Sequence, residues 1–173
     1  MENIKFPIGT FAPKNQYAQA DLDDIFETIT NAPAQYKALV SDLTEAQLAK
    51  TYRDGAWTIK TLVHHIADMH ILHLLRLKMA ITETENKNLV IVNINGWANT
   101  IDALEGNLED SLTMMKGTHA KMIFLAKRLT ANQLSIEVYH AGRGMNLNVK
   151  QLLDMTAWHS KHHLAHINIA LNS

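Results

Sequence analysis

The sequence predicts an all-α fold, an up-and-down four-helix bundle with a small hairpin or extended loop before the last helix. Two observations lead to this prediction. Long stretches with a helical apolar period alternate with short loops, and the chain contains neither an internal repeat nor a low-complexity linker. A length of 173 residues with 47% apolar residues suits one domain, so we assign residues 1–173 to a single bundle.

Each of the four predicted helices carries a start signal or an apolar period. The first opens near Asp21 and runs through Pro33, which we expect to kink or interrupt it because proline lacks an N–H and crowds the preceding turn. The second follows Thr58 as its N-cap and extends for about six turns. The third starts after Ser111, and the last follows Asn148 as its cap.

Shorter elements are predicted between these helices. Thr44 and Gln47 have capping-box spacing for a short helix. The pattern breaks between Thr82 and Thr100, which predicts a loop that wraps the bundle. Apolar and polar residues alternate around Gly142 and Gly144, which favours a hairpin or an extended segment there.

Composition and charge exclude several classes of function. Sixteen Lys plus Arg against seventeen Asp plus Glu give a formal charge of −1. Because the sequence has no dense run of basic residues, we expect no nucleic-acid partner. No apolar stretch is as long as a membrane span, and the first residues lack the layout of a secretory signal, so we expect a cytoplasmic protein. The chain has no cysteine, so any transition metal must be held by His, Asp or Glu.

The last predicted helix concentrates histidines on one face. Four of the ten histidines fall between Trp158 and Ile167. Because helical residues advance by roughly 100° each, these four share an arc of about 100° that also contains core-type positions. Imidazoles in an apolar bundle need hydrogen-bond partners or a metal, and a pair at i and i+4 can offer two nitrogens to one ion. The four are His159, His162, His163 and His166.

A third ligand can come from the second long helix. His65 borders the apolar stripe of that helix and His73 lies in its middle. His64 lies about 100° from His65, away from the stripe, so we expect it to face solvent or a partner subunit. The helical geometry favours His65 or His73 over His64 and does not choose between the two.

The chain contains, in this order, the segments FPIGTF, YRDGAWTIKTLVHHIADMH and AWHSKHHLAHI. Together they resemble the YfiT-type metal-dependent hydrolases of the DinB-like superfamily. The resemblance implies a DinB-like four-helix bundle, one divalent metal bound by three histidines, and usually a homodimer. Matched residue by residue, the histidine followed by IAD is His65, and the pair on the last helix is His159 and His163. In one place the sequence departs from its relatives: VNING precedes Trp97, where they often carry an acidic pair.

Three neutral imidazoles leave a coordination position open for water or substrate. The main interpretation is therefore a metal-dependent hydrolase, in which one zinc or nickel ion per subunit activates water against a small-molecule substrate. The alternatives are a bacillithiol-type thiol S-transferase, because some DinB-like relatives transfer thiols, and a non-catalytic metal-binding dimeric bundle. Asp68 and His70, one turn from His65, are the candidate catalytic residues, as general bases or as groups that orient a ligand.

Overall fold

A computed structural model of the chain describes residues 2–83, 85 and 87–173. Most of these residues lie in helices, and the two strands form one small sheet. The elements are α1 (Glu2–Lys5), α2 (Gln19–Val40), α3 (Glu45–Leu48), α4 (Ile59–Thr82), α5 (Ile94–Trp97), α6 (Ile101–Glu105), α7 (Leu108–Ala126), α8 (Ala131–Leu134), β1 (Glu137–His140), β2 (Met145–Asn148) and α9 (Val149–Leu171).

The four long helices α2, α4, α7 and α9 form the predicted four-helix bundle. The most extensive helix contacts join α4 to α7 and α9, and α2 to the same two helices. The order around the bundle is therefore α2, α7, α4, α9, so the first two long helices stand diagonally across from each other. This order places α4 beside α9, so histidines on the two helices can meet.

Helix starts follow local capping chemistry. The side chains of Thr58 and Asn148 accept hydrogen bonds from backbone N–H groups in the first turns of α4 and α9, which confirms both predicted caps. The predicted start of the third long helix was four residues late. The helix begins at Leu108 rather than after Ser111, because Asn107 caps it. Pro33 does not interrupt α2, which runs continuously from Gln19 to Val40.

The hairpin before the last helix is confirmed. Strands β1 and β2 pair antiparallel from Glu137 opposite Asn148 to His140 opposite Met145. A 3-10 turn joins them and ends at Gly144, whose φ of +64° is a left-handed conformation that suits glycine. The segment predicted as a loop after α4 is only partly irregular, because Asn93 caps the short helix α5 within it. The predicted short helix is α3, where Thr44 and Gln47 form the capping box.

Two apolar clusters fill the bundle, and a layer of buried histidines lies between them. One cluster includes Ile29 and Leu153, and the other includes Tyr36 and Ile167. Along α4, α7 and α9 the residues between the clusters include buried imidazoles. No helix in the described part of the chain is long and apolar enough to cross a membrane.

Candidate metal centre

The three predicted metal ligands meet where α4 packs on α9. His65, His159 and His163 each offer a ring nitrogen within 4.8 Å of the others. The Nε2 atoms of His65 and His159 are 3.3 Å apart. A tetrahedral ion with bonds of about 2.0–2.1 Å holds its ligand nitrogens roughly 3.3–3.4 Å apart, so this spacing fits direct coordination.

The three rings are arranged as a tripod. Their centroids lie 4.7–5.3 Å apart, and the planes meet at 70°, 78° and 90°. Rings that stand nearly perpendicular direct their edges, and so their nitrogens, toward a shared point instead of stacking. His159 is only partly buried and also lines a cavity of about 400 Å³. The tripod therefore lies at the edge of a pocket large enough for a small molecule.

Burial keeps these imidazoles neutral. Burial, with a smaller contribution from His162, lowers the pKa of His65 to about 4. Burial and then the neighbouring histidines lower the pKa values of His159 and His163 well below the ordinary range. A neutral imidazole has one lone pair and one N–H, and its lone pair is what binds a metal.

A chain of hydrogen bonds determines which nitrogen of His159 carries that lone pair. The carbonyl of Ile29 can only accept, so the Nδ1–H of His119 donates to it at 2.6 Å. The Nε2 of His119 then accepts from His70 Nδ1–H at 2.6 Å, and His70 Nε2 accepts from His159 Nδ1–H at 3.1 Å. The lone pair of His159 is consequently on Nε2, the atom that faces His65.

A shorter chain does the same for His163. His166 donates its Nε2–H to the carbonyl of Lys5 at 3.2 Å, which leaves Nδ1 as its acceptor. The Nδ1–H of His163 donates to that atom at 3.2 Å, so Nε2 of His163 carries the lone pair. Tyr52 stacks on the His166 ring, with centroids 3.8 Å apart. Both ligands on α9 are thus oriented by histidines that end on backbone carbonyls.

A second group of three histidines lies further along α9. His162, His163 and His166 also offer nitrogens within 4.8 Å of one another, and the Nδ1 of His162 is buried without a partner among the described residues. This group shares His163 with the tripod. Its members come from one helix, whereas the tripod joins two helices and includes His159, which lines the pocket.

The two predicted catalytic residues lie in different places. His70 is buried and reaches the site through its bond to His159. Asp68 is half-buried, and no hydrogen bond connects it to a histidine in the described part of the chain. Burial, and then the charge of Asp102, raises the pKa of the Asp68 carboxyl to about 6. His70 therefore bonds to a tripod histidine, whereas Asp68 bonds to none among the described residues.

The predicted surroundings of His64 were wrong, and His73 has a partner of its own. His64 is buried, and its Nδ1 lies 2.8 Å from the Ser111 hydroxyl, because α7 covers that side of α4. It faces neither solvent nor a partner subunit. His73 hydrogen-bonds the hydroxyl of Thr156 at 3.0 Å and lines the pocket beside His159. Geometry thus separates His65 from both alternatives.

Comparison with known proteins gives the family. The family model of the DinB superfamily matches residues 28–167, which include all three tripod histidines. The chain belongs to the DinB superfamily. A relative from Halalkalibacterium halodurans, whose name marks it as a candidate metal-dependent hydrolase, is 36% identical over 171 residues, which cover 99% of this chain and 98% of that one.

A solved structure is similar over nearly the whole chain. YfiT from Bacillus subtilis, described as a probable metal-dependent hydrolase with an unusual four-helix bundle topology, is 30% identical with a TM-score of 0.91, over 96% of this chain and 94% of that one. The mycothiol-dependent maleylpyruvate isomerase shares the fold at 17% identity and a TM-score of 0.67, over 84% of this chain and 60% of that one.

Proposed function

We propose that this DinB-superfamily protein is a metal-dependent hydrolase that binds one zinc or nickel ion through the Nε2 atoms of His65, His159 and His163. The observation that carries the proposal is the tripod at the edge of a pocket, with ligand nitrogens spaced as a tetrahedral ion requires. The names of the relatives from Halalkalibacterium halodurans and Bacillus subtilis agree with it. Imidazole nitrogens suit both metals, so the ligand set does not distinguish them.

When bound, such an ion polarises a carbonyl or phosphoryl oxygen and brings the pKa of water toward ~7. The protein residues prepare this chemistry by orienting the ligand nitrogens. His70 and His119 hold the Nε2 lone pair of His159 toward the tripod, and His166 does so for His163. The chain through His119 ends on a carbonyl that cannot take up a proton, so its role is to position His159 rather than to relay protons.

Transfer of a thiol is the second candidate. Among the described residues that line the pocket there is no carboxylate, and a thiol bound to a metal ionises without help from a protein base. The fold shared with a mycothiol-dependent enzyme is compatible with this chemistry. A non-catalytic metal-binding dimeric bundle is less well supported, because a purely structural site does not need a pocket beside its ligands.

The experiment is a metal analysis combined with an activity screen. Purified protein should contain close to one zinc or nickel ion per chain, and chelation should remove it. A panel of small esters, amides and thioesters, with and without a low-molecular-weight thiol, then separates hydrolysis from thiol transfer. Hydrolysis that disappears on chelation and returns with the metal supports the first proposal. A reaction that requires the thiol supports the second proposal. A protein that contains no metal when purified, and takes up none when metal is added, refutes both.

A further inference from the structure

The lining of the pocket beside the tripod is cationic. It includes His159, the apolar side chains of Met69 and Val92, and the polar side chains of Arg76, Arg143 and His140. Arg76 comes from α4, and the other two come from the hairpin and its turn. Two guanidinium groups thus face a cavity of about 400 Å³ whose described lining contains no carboxylate.

Arg76 is a buried charge without a counter-ion among the described residues. Its residue is only 4% exposed. The Nε and Nη2 atoms donate to the carbonyl of Val90 at 3.0 and 2.7 Å, and the other N–H groups of the guanidinium have no acceptor in the described part of the chain. A buried charge that lacks an opposite charge is costly, and an anionic ligand in the pocket would supply the missing charge.

The neighbours of Arg76 increase this cost. Burial, and then the positive charge of Arg143, lowers the pKa of Arg76 to about 10, so the two guanidinium groups repel each other. The Nδ1 atom of His140 is buried without a hydrogen-bond partner among the described residues. Burial lowers the pKa of His140 to about 4, with smaller contributions from both arginines, so its ring is neutral and can donate or accept. Three polar groups therefore converge on space that no described acid occupies.

We propose that this pocket binds an anionic small molecule, with its carboxylate or phosphate group on Arg76 and Arg143 and its apolar segment along Met69 and Val92. Arginine binds planar carboxylates and phosphates through paired N–H groups, which fits the free end of Arg76. The proposal rests on the proposed function in one respect, because the bond to be broken would lie at the tripod beside His159. The substrates would then be small organic acids or small organic phosphates.

The test is a calorimetric titration of the metal-loaded protein with butyrate and with inorganic phosphate. Butyramide serves as the uncharged control of the same shape. We expect roughly tenfold tighter binding of butyrate, phosphate or both than of butyramide, the size of a charge-assisted pair. Arg76→Gln should remove this preference and Arg143→Gln should reduce it about threefold, whereas Arg128→Gln, outside the pocket, should not change it.

Chelated protein separates this proposal from the metal proposal. Arginine-dependent binding that persists after chelation supports the anion pocket even if no catalytic metal is found. Binding that requires the metal and is unchanged in both arginine variants overturns the anion pocket and leaves the metal site intact. Equal binding of butyrate, phosphate and butyramide also overturns it. Because Arg76 also anchors the Val90 carbonyl, the exposed Arg143 provides the decisive variant if Arg76→Gln does not fold.

Discussion

Pro33 lies one turn beyond Ile29 in α2 and has no N–H to donate to the Ile29 carbonyl. Instead, His119 on α7 donates a hydrogen bond to this carbonyl, with its Nδ1 2.6 Å from the oxygen. This contact starts the hydrogen-bond chain that ends on the ligand His159. A residue that breaks the hydrogen-bond pattern of one helix therefore helps to orient a metal ligand on another.

Replacement of His119 should weaken metal binding without removal of any ligand. In His119→Phe the Nδ1–H of His70 loses its acceptor, and His159 is no longer held in the tautomer with its lone pair on Nε2. We expect metal affinity to fall by about 10–100-fold, the usual effect of losing such a partner. Competition with a chromophoric chelator measures it. His64→Phe is the matched control, since His64 is a buried histidine that takes no part in the hydrogen bonds between Ile29, His119, His70 and His159. Equal affinities in both variants would contradict the positioning role.

Pro33→Ala tests the same contact from α2. The new N–H can donate to the Ile29 carbonyl and competes with His119, so metal affinity should fall by less than in His119→Phe. The helix itself should become more stable, because an interior proline costs about 3 kcal/mol relative to alanine. Chelator competition and urea unfolding of the metal-free protein record the two effects. A variant that gains stability and metal affinity together would show that the carbonyl does not orient His119.

The ligands themselves are tested by two neighbouring residues. His65→Ala should abolish stoichiometric binding of zinc or nickel, and with it the stabilisation that a bound ion gives the folded state. His64→Ala should retain the metal and lose about 2–4 kcal/mol of stability, because it removes a buried ring together with its bond to Ser111. Metal titration followed by elemental analysis compares them. Tight binding by His65→Ala would mean that the tripod is assigned incorrectly.

Sequence reasoning reached the local parts of this structure. Thr58 and Asn148 were identifiable because a cap and its helix are adjacent in the chain. The helical angle also left His65 and His73 as the candidates on α4, and the family resemblance then selected His65. The angle failed for His64 because it assumed one buried face for α4, whereas a bundle helix has neighbours on two sides. His119 was missed because its partner Ile29 is 90 residues away, a separation that no sequence spacing reveals.

Assembly as a homodimer remains a prediction, and an exposed apolar surface shows where to test it. Ile71 and Leu75 are exposed on α4, and Phe124 on α7 is 64% exposed. Lys78, on the same side of α4 as Leu75, lines a surface hollow with Phe124. We propose that this surface forms a C₂ interface.

Wild-type protein should then sediment at twice the chain mass of 19.5 kDa. Phe124→Ser should shift the equilibrium toward monomer, because it removes the most exposed ring of the surface. Ile8→Ser, at a residue 43% exposed elsewhere on the molecule, should not. Sedimentation equilibrium at micromolar concentration gives the result, and a wild-type protein with the mass of one chain would refute the dimer.

Asp68 should make the free energy of unfolding depend on pH. Its pKa of about 6 in the folded protein exceeds the ordinary value of 3.8, because burial disfavours the carboxylate and Asp102 repels it. The folded state therefore binds this proton more tightly. The resulting stabilisation is fully present below pH 3.8 and is lost as the pH rises through 6. At neutral pH the charged Asp68 consequently lowers the free energy of unfolding.

Asp68→Asn should raise the free energy of unfolding near neutral pH. The rise in the pKa of Asp68 from 3.8 to about 6 corresponds to about 3 kcal/mol. Partial exposure of the carboxyl group reduces this to about 1 kcal/mol. The gain should shrink toward about pH 5, where wild-type Asp68 is mostly protonated. Urea unfolding at both pH values measures it. Asp42→Asn, at an exposed residue, is the control and should show no such dependence.

The same variant tests the predicted catalytic role of Asp68. A general base contributes about 10²–10⁴ to the rate, so the predicted catalytic role requires that Asp68→Asn lower kcat by that factor and abolish a rise in rate with a midpoint near pH 6. The metal content should be unchanged, because Asp68 bonds to no histidine among the described residues. A variant that gains stability and keeps its activity would mean that burial alone raises the pKa. The tripod and its histidine chains would then act without a carboxylate from α4.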